Sequence, residues 1–325
     1  MPDGLEEMEG RPLTAISVTG LHKSYGGLEV LRGVNLKVRR GEFYALMGQN
    51  GSGKTTLISI LTCNSRPTAG TASVQGHDAV NESYEVKRRI GYVPQENFSC
   101  SALTGRENLI FFARLAGYPR DEAEALASEL SEQMELQDYS GRRVSEYSGG
   151  MRKRLEVATA LLPGADVLFL DEPTTGLDPS ARKDFLRMLK EVNSNGVTVF
   201  MVTHIGEDAE AASRVGFMDE GRIMLEGDPE ELKDGSGLRN VVEVETPRKG
   251  EDVEGVLMAF SSERELQGTD EGYRVFCEEP EEALPSIVRA LDGIGCQAGR
   301  LEIRAPSLED VFFKVTRKPL RSLLR

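Results

Sequence analysis

The stretches Phe43–Met47 (FYALM) and Val167–Leu170 (VLFL) are apolar without interruption, and Val197–Val202 (VTVFMV) is broken only by a threonine. Runs of this kind suit strands buried on both faces, as in a parallel sheet covered by helices. Val34–Val38 (VNLKV) alternates instead, which suits a strand with one wet face. Glycine-rich turns and helical spacing separate these runs up to about residue 232. The pattern predicts an α/β domain over 13–232, with a mostly parallel sheet and an antiparallel edge sheet. Between Gln95 and Ser148 the period changes: Glu107–Gly117 and Asp121–Leu136 carry apolar residues at helical spacing and strong helix formers, with no buried-strand run between them. A helical subdomain over about 97–160 is therefore expected inside the first domain.

The stretch Lys233–Asn240 (KDGSGLRN) is rich in glycine and charge and is expected to be a linker over 233–240. Beyond it, Val241–Thr246, Tyr273–Glu278 and Arg300–Ala305 alternate like strands, and Glu281–Gly295 is spaced like a helix. A small α+β domain over 241–317 is the expectation. It leaves an acidic N-terminal tail over 1–12 and a basic tail over 318–325. The basic tail suits either a solvated end or contact with anionic lipid.

Composition narrows the classes. A chain of 325 residues with 39% hydrophobic and 28% charged residues is of globular type and long enough for two domains. The net charge of −14 argues against a nucleic-acid partner, because phosphate backbones attract a surplus of Lys and Arg. The most apolar region, near Ala158–Leu170, is broken by Pro163, Gly164 and Asp166, so no membrane-spanning run is expected. Cys63, Cys100, Cys277 and Cys296 form no C-x-x-C pair, and no secretory leader is visible; free thiols in a reducing compartment are expected.

Gly48–Thr56 (GQNGSGKTT) fits G-x-x-x-x-G-K-[ST], between the buried run Phe43–Met47 and the helical Thr56–Thr62. In such a loop the backbone N–H groups cradle phosphates. Gly48, Asn50, Gly51, Ser52, Gly53 and Thr56 form the cradle, Lys54 adds a fixed positive charge, and the hydroxyl of Thr55 helps hold Mg²⁺. Asp171 ends the buried run Val167–Leu170, where open α/β sheets place their ligands, and is a second partner for Mg²⁺. Glu172 points elsewhere and is placed to orient or deprotonate a water attacking the γ-phosphate. An acidic pair at a strand end is also common in solvated loops; the phosphate loop in the same chain favours the catalytic reading.

With both halves of a nucleotide site present, residues 13–232 resemble the ATP-binding subunit of an ABC transporter. The resemblance makes Tyr147–Gly150 (YSGG) the family's signature, in which Ser148, Gly149 and Gly150 grip in trans the γ-phosphate of ATP bound to the phosphate loop of a second copy. Tyr147 and Met151 stand where the family usually has Leu and Gln. The resemblance also implies roles for Tyr25 (stacking on adenine), Gln95 (linking Mg²⁺ to the membrane partner), Asp178 (communicating across the dimer) and His204 (bonding the γ-phosphate). Thr175 and Gly176 replace a more usual serine and alanine.

Leu103–Tyr118, Tyr147–Leu155 and above all Pro306–Thr316 (PSLEDVFFKVT) resemble drug-resistance subunits of type 2 ABC exporters. This implies an ATPase with ATP and Mg²⁺ as cofactors, in which Glu172, His204 and Lys54 carry the chemistry. It further implies a homodimer around two ATP, a separate integral membrane permease, no nucleic acid, and a place on the cytoplasmic face of the membrane. The alternative is a soluble ABC ATPase of DNA repair or translation with no membrane partner.

Overall fold

A computed structural model describes residues 7–8, 11–162, 164–238, 240–262 and 266–317. The expected basic tail over 318–325, and most of the N-terminal tail over 1–12, lie outside them. Two compact units meet between Glu226 and Gly227, before the limit of 232 drawn from the sequence. The helix Pro229–Gly235, capped by Asp228 and started by proline, therefore belongs to the second unit and takes up part of the expected linker.

A six-stranded sheet runs through the first unit in the order Arg222–Gly227, Arg214–Asp219, Phe43–Gly48, Thr198–Thr203, Val167–Asp171, Ile90–Val93. The five strands from Arg214–Asp219 onward pair in parallel. Three of them, Phe43–Gly48, Thr198–Thr203 and Val167–Asp171, are buried at every position, which is why their sequences are apolar runs rather than alternations. Tyr44 stacks on Phe200 with ring centroids 5.4 Å apart. A separate four-stranded sheet, ordered Leu28–Arg39, Thr14–Tyr25, Ala69–Val74, His77–Asp78, is antiparallel. Within it Val34, Leu36 and Val38 point inward and Asn35 and Lys37 outward, as the alternation predicts. Its inner face, one face of the parallel sheet and the helix Lys54–Leu61 share one core.

The helical segment supplies Gly105–Leu115, Arg120–Gln133 and Gly149–Leu161. Gly105–Leu115 begins in a capping box, with Thr104 and Glu107 bonding each other's backbone N–H.

In the second unit the antiparallel order is Leu266–Gly268, Gly272–Cys277, Asn240–Glu245, Leu301–Arg304. Helices Glu251–Met258 and Pro280–Gly293 contribute Val253, Leu257, Ile287 and Leu291 to its core. The edge strand Leu266–Gly268 and the helix Leu308–Thr316 were not foreseen as elements. The strand has only three residues, too few to show a period, and its partner Gly272–Cys277 supplies the hydrogen bonds that define it.

Candidate functional site

Four parallel strands, Phe43–Gly48, Thr198–Thr203, Val167–Asp171 and Ile90–Val93, end on the same side of the sheet, and the chemistry-bearing residues follow their carboxyl ends. After Phe43–Gly48 the chain bends back through Ser52 and Gly53 into the helix Lys54–Leu61. Gly53 adopts φ 108°, a conformation that favours glycine, and a Cβ there would also crowd the Val30 carbonyl oxygen at 3.1 Å. A Cβ on Gly48 would meet the Met218 carbonyl oxygen at 2.3 Å.

Lys54 is 4% exposed, and its Nζ donates to the carbonyl oxygens of Gly48 at 2.8 Å and Gln49 at 2.9 Å. Burial pushes its pKa down, against the attraction of Glu172 and Asp171. A buried cation at a helix N-terminus, beside loop N–H groups that only glycine allows to come so close, makes a slot for an anion of high charge.

Thr55 Oγ1 and Asp171 Oδ1 stand 3.5 Å apart across this slot. Burial pushes the Asp171 carboxyl up, so a positive charge nearby would be welcome to it. A hydroxyl and a carboxylate are hard oxygen donors that fit Mg²⁺, which completes its sphere with phosphate and water.

Glu172, next along, takes the left-handed conformation with φ 49°, unusual for a residue with a side chain, and its N–H donates to the Val202 carbonyl at 2.9 Å. That turn brings its carboxylate between two side chains. Gln95 Nε2 lies 3.3 Å from Oε2, and His204 Nδ1 lies 3.2 Å from Oε1, although the angle there falls short of hydrogen-bond geometry. Contact with His204 is the chief reason the Glu172 carboxyl is held below the usual range, against burial and with help from Lys54 and Thr175. Glu172, Gln95, Lys54, Thr55 and Asn50 line one cavity of about 250 Å³ with Gly51, Gly53, Thr56 and Val30.

Similarity to known proteins can be set beside this geometry. Residues 31–175 match the family described as ABC transporter, and residues 227–316 match the C-terminal domain of proteins like the DrrA1-3 ATP-binding proteins. The daunorubicin resistance ATP-binding protein DrrA3 of Streptomyces coeruleorubidus is 39% identical over 309 residues, 93% of this chain and 96% of that one. The Nod factor export ATP-binding protein I of Burkholderia lata is 34% identical over 313 residues, covering 95% and 99%. The chain belongs to the ABC transporter family. It is an ABC ATP-binding protein, and hence an ATPase whose hydrolysis is coupled to transmembrane transport. Among solved structures, an ATP-binding cassette captured as a dimer in a post-hydrolysis state with ADP and Pi matches with a TM-score of 0.59 and 27% identity, over 66% of this chain and 98% of that one.

Not every residue singled out in the sequence of this ABC protein faces the cavity. Tyr25 ends the strand Thr14–Tyr25, half exposed, with the Lys23 ammonium 4.6 Å from its ring centroid. Ser148 is the N-cap of Gly149–Leu161 and accepts the N–H of Met151 at 3.2 Å. Ser148 and Gly149 are exposed, and with Gly150 they stay outside the cavity lining. Asp178 caps Pro179–Ser194, accepting the N–H groups of Ser180 and Ala181 at 3.1 Å.

Sequence reasoning missed a buried pair behind the site. Lys153 Nζ lies 3.1 Å from Glu156 Oε2 and donates to the Gln95 carbonyl at 3.3 Å. Glu156 Oε1 accepts from the Phe98 N–H at 3.2 Å and the Ser99 hydroxyl at 3.3 Å. The helix that begins at Ser148 is thereby bonded to the segment that carries Gln95. The signal was a Glu three residues after a Lys, which is ordinary on an exposed helix face and becomes telling only once both are known to be buried.

Proposed function

We propose that this ABC ATPase binds two MgATP between two copies packed head to tail, hydrolyses them, and drives a separate membrane permease that exports a small organic cargo. The convergence of Gln95 and His204 on Glu172, beside Thr55 and Asp171 at the mouth of the phosphate loop, is the observation that carries the reading. Lys54 and the loop N–H groups bind the β- and γ-phosphates, and Thr55, Asp171 and Gln95 hold Mg²⁺. When bound, the ion supplies positive charge against that which develops on the phosphoryl oxygens. Glu172 takes or orients the proton of the attacking water, and its depressed pKa keeps it ionised for that task. His204 faces the γ-phosphate. Ser148, Gly149, Gly150 and Asp178 serve the ATP of the other copy; the exposure of Ser148, Gly149 and Asp178, and the place of all four outside the cavity lining of their own chain, support this.

The export direction and the cargo class follow the relatives' names, which speak of daunorubicin resistance and Nod factor export. Among the described residues no helix is long and apolar enough to cross a membrane. The proposed place at the cytoplasmic face therefore comes through the permease.

The test is the Glu172→Gln variant of the full chain, followed by light scattering with and without MgATP. It should bind MgATP, lose roughly 10²–10⁴-fold in turnover, and double its mass only when MgATP is present. A variant that stays monomeric and hydrolyses ATP at the wild-type rate would overturn the reading.

A further inference from the structure

Asp208 is fully buried and belongs to none of the motifs discussed above. Its Oδ2 accepts the hydroxyls of two threonines, Thr203 at 2.9 Å and Thr174. Both threonines adjoin residues that touch Glu172. Thr203 precedes His204, and its hydroxyl also accepts the N–H of Ile205 at 3.0 Å, so the chain is pinned on both sides of the imidazole. Thr174 precedes Thr175, whose backbone N–H donates to the Glu172 carbonyl at 3.3 Å.

The remaining oxygen, Oδ1, has no hydrogen bond and lies 3.8 Å from Arg182 Nε, which has none either. Arg182 instead reaches the Glu207 carboxylate through a second nitrogen at 3.3 Å. A buried carboxylate with hydrogen bonds on one oxygen and only the Arg182 charge near the other is an expensive way to fill space, since an apolar residue would avoid the desolvation altogether. What it provides is a fixed spacing. The parallel ladder between Val167–Asp171 and Thr198–Thr203 stops at these residues, and among the described residues the backbone bond that continues it is the one from the Glu172 N–H to the Val202 carbonyl, at 2.9 Å. Glu172 is also held in a left-handed conformation, which persists only where the surroundings determine it.

We propose that Asp208 is a positioning residue for ATP hydrolysis. By joining Thr174 to Thr203 it sets the distance between the Glu172 loop and the His204 strand end, so that carboxylate and imidazole face the same reacting centre. Asp208 touches no nucleotide and acts only through these two hydroxyls. The inference rests on the roles assigned to Glu172 and His204 above.

Four variants of the full chain test it: Asp208→Ala, the double Thr174→Val with Thr203→Val, the double Thr174→Ser with Thr203→Ser, and Glu172→Gln as reference. Single-turnover hydrolysis and equilibrium binding of MgATP are measured on each. A misplacement of about 1 Å is enough to slow catalysis roughly 10²-fold. Asp208→Ala and the valine pair should show that loss with MgATP affinity unchanged, and the serine pair, which keeps both hydroxyls, should hydrolyse normally. Wild-type turnover in Asp208→Ala, with Glu172→Gln inactive, overturns the proposal. So does a serine pair as impaired as the valine pair, because packing of the methyl groups would then be the cause. If Asp208→Ala does not fold, the valine pair decides: slow hydrolysis at normal affinity upholds the clamp, and normal hydrolysis removes it. Normal turnover in Glu172→Gln would instead sink the assignment of Glu172, and the clamp with it.

Discussion

Glu172 Oε1 and His204 Nδ1 stand 3.2 Å apart, although the two residues extend different strands and are separated by a whole helix in the chain. The parallel register that sets Val202 beside Asp171 brings the next residues of both strands out at one level. Gln95, from beyond a third strand, approaches the other oxygen of the same carboxylate. One side chain thus collects the ends of three strands.

The contact has a consequence for pH. His204 is the main influence holding the Glu172 carboxyl low, while burial pushes it up. In His204→Ala the carboxyl therefore rises, and Glu172 becomes protonated at higher pH than in the wild type. Residual ATP turnover, followed downward from neutral pH, should fail earlier in the variant. An acid limb that does not move would show that the imidazole does not set the state of Glu172.

Exposure of Ser148 and Gly149 has a consequence for assembly. In linked dimers that carry Glu172→Gln in both halves, one Lys54→Ala and one Ser148→Arg lesion are placed either in the same half or in opposite halves. If each site joins the phosphate loop of one copy to the Ser148 segment of the other, lesions in opposite halves spoil one site and spare the second. Trapped ATP should then fall to about half, on the assumption of independent sites, and lesions in the same half should abolish trapping. The reverse result would place each site within one chain.

Lys153 and Glu156 are 7% and 0% exposed, so removing one charge strands the other. Glu156→Ala also leaves the Phe98 N–H and Ser99 without their acceptor. A loss of about 3–5 kcal/mol in urea unfolding is expected. The double replacement Lys153→Met with Glu156→Leu should recover much of it, because no charge is then left unpaired. If the double variant is worse than the single by the full cost of a second lesion, the two residues act independently.

In the second unit Asp310 is fully buried, receives the Arg304 guanidinium at 2.6 and 3.1 Å, and accepts the Ser307 N–H at 2.8 Å. Burial alone would raise its pKa, but Arg304 and Ser307 overcome it and the net direction is down. A depressed carboxylate contributes stability above its unfolded pKa of about 3.9 and loses it as pH falls through the folded value. Asp310→Asn should weaken this unit by about 3 kcal/mol at neutral pH, as for a broken buried pair. Its deficit should shrink as the pH falls below about 4. Hydrogen exchange of peptides from 240–316 measures this; a deficit equally large in acid would rule out the charge as its cause.

Local pattern was enough for much of this protein. The buried strands Phe43–Gly48, Val167–Asp171 and Thr198–Thr203 are legible because burial on both faces leaves no polar position to choose, and the helix at Ser148 because its cap and glycines are contiguous. Gly48–Thr56 is legible for the same reason: a phosphate cradle is made by consecutive backbone N–H groups, so its specification is written in consecutive residues. Asp171 and Glu172 could be singled out because a strand end is a local feature. Their differing environments could not be read, because burial raises one pKa and a residue thirty-two positions away lowers the other. The three-residue strand Leu266–Gly268 was silent because its existence depends on a partner. The Lys153–Glu156 pair and the joining of Thr174 to Thr203 by Asp208 were silent for a further reason. Lys, Glu, Thr and Asp are ordinary surface residues until the packing of other segments removes their water, and only then does each polar atom have to find a partner. The sequence by itself marked Gly48–Thr56 as the candidate phosphate loop and the buried strands that end beside it; the tertiary structure decided which side chains meet there, because burial and distance belong to the fold as a whole.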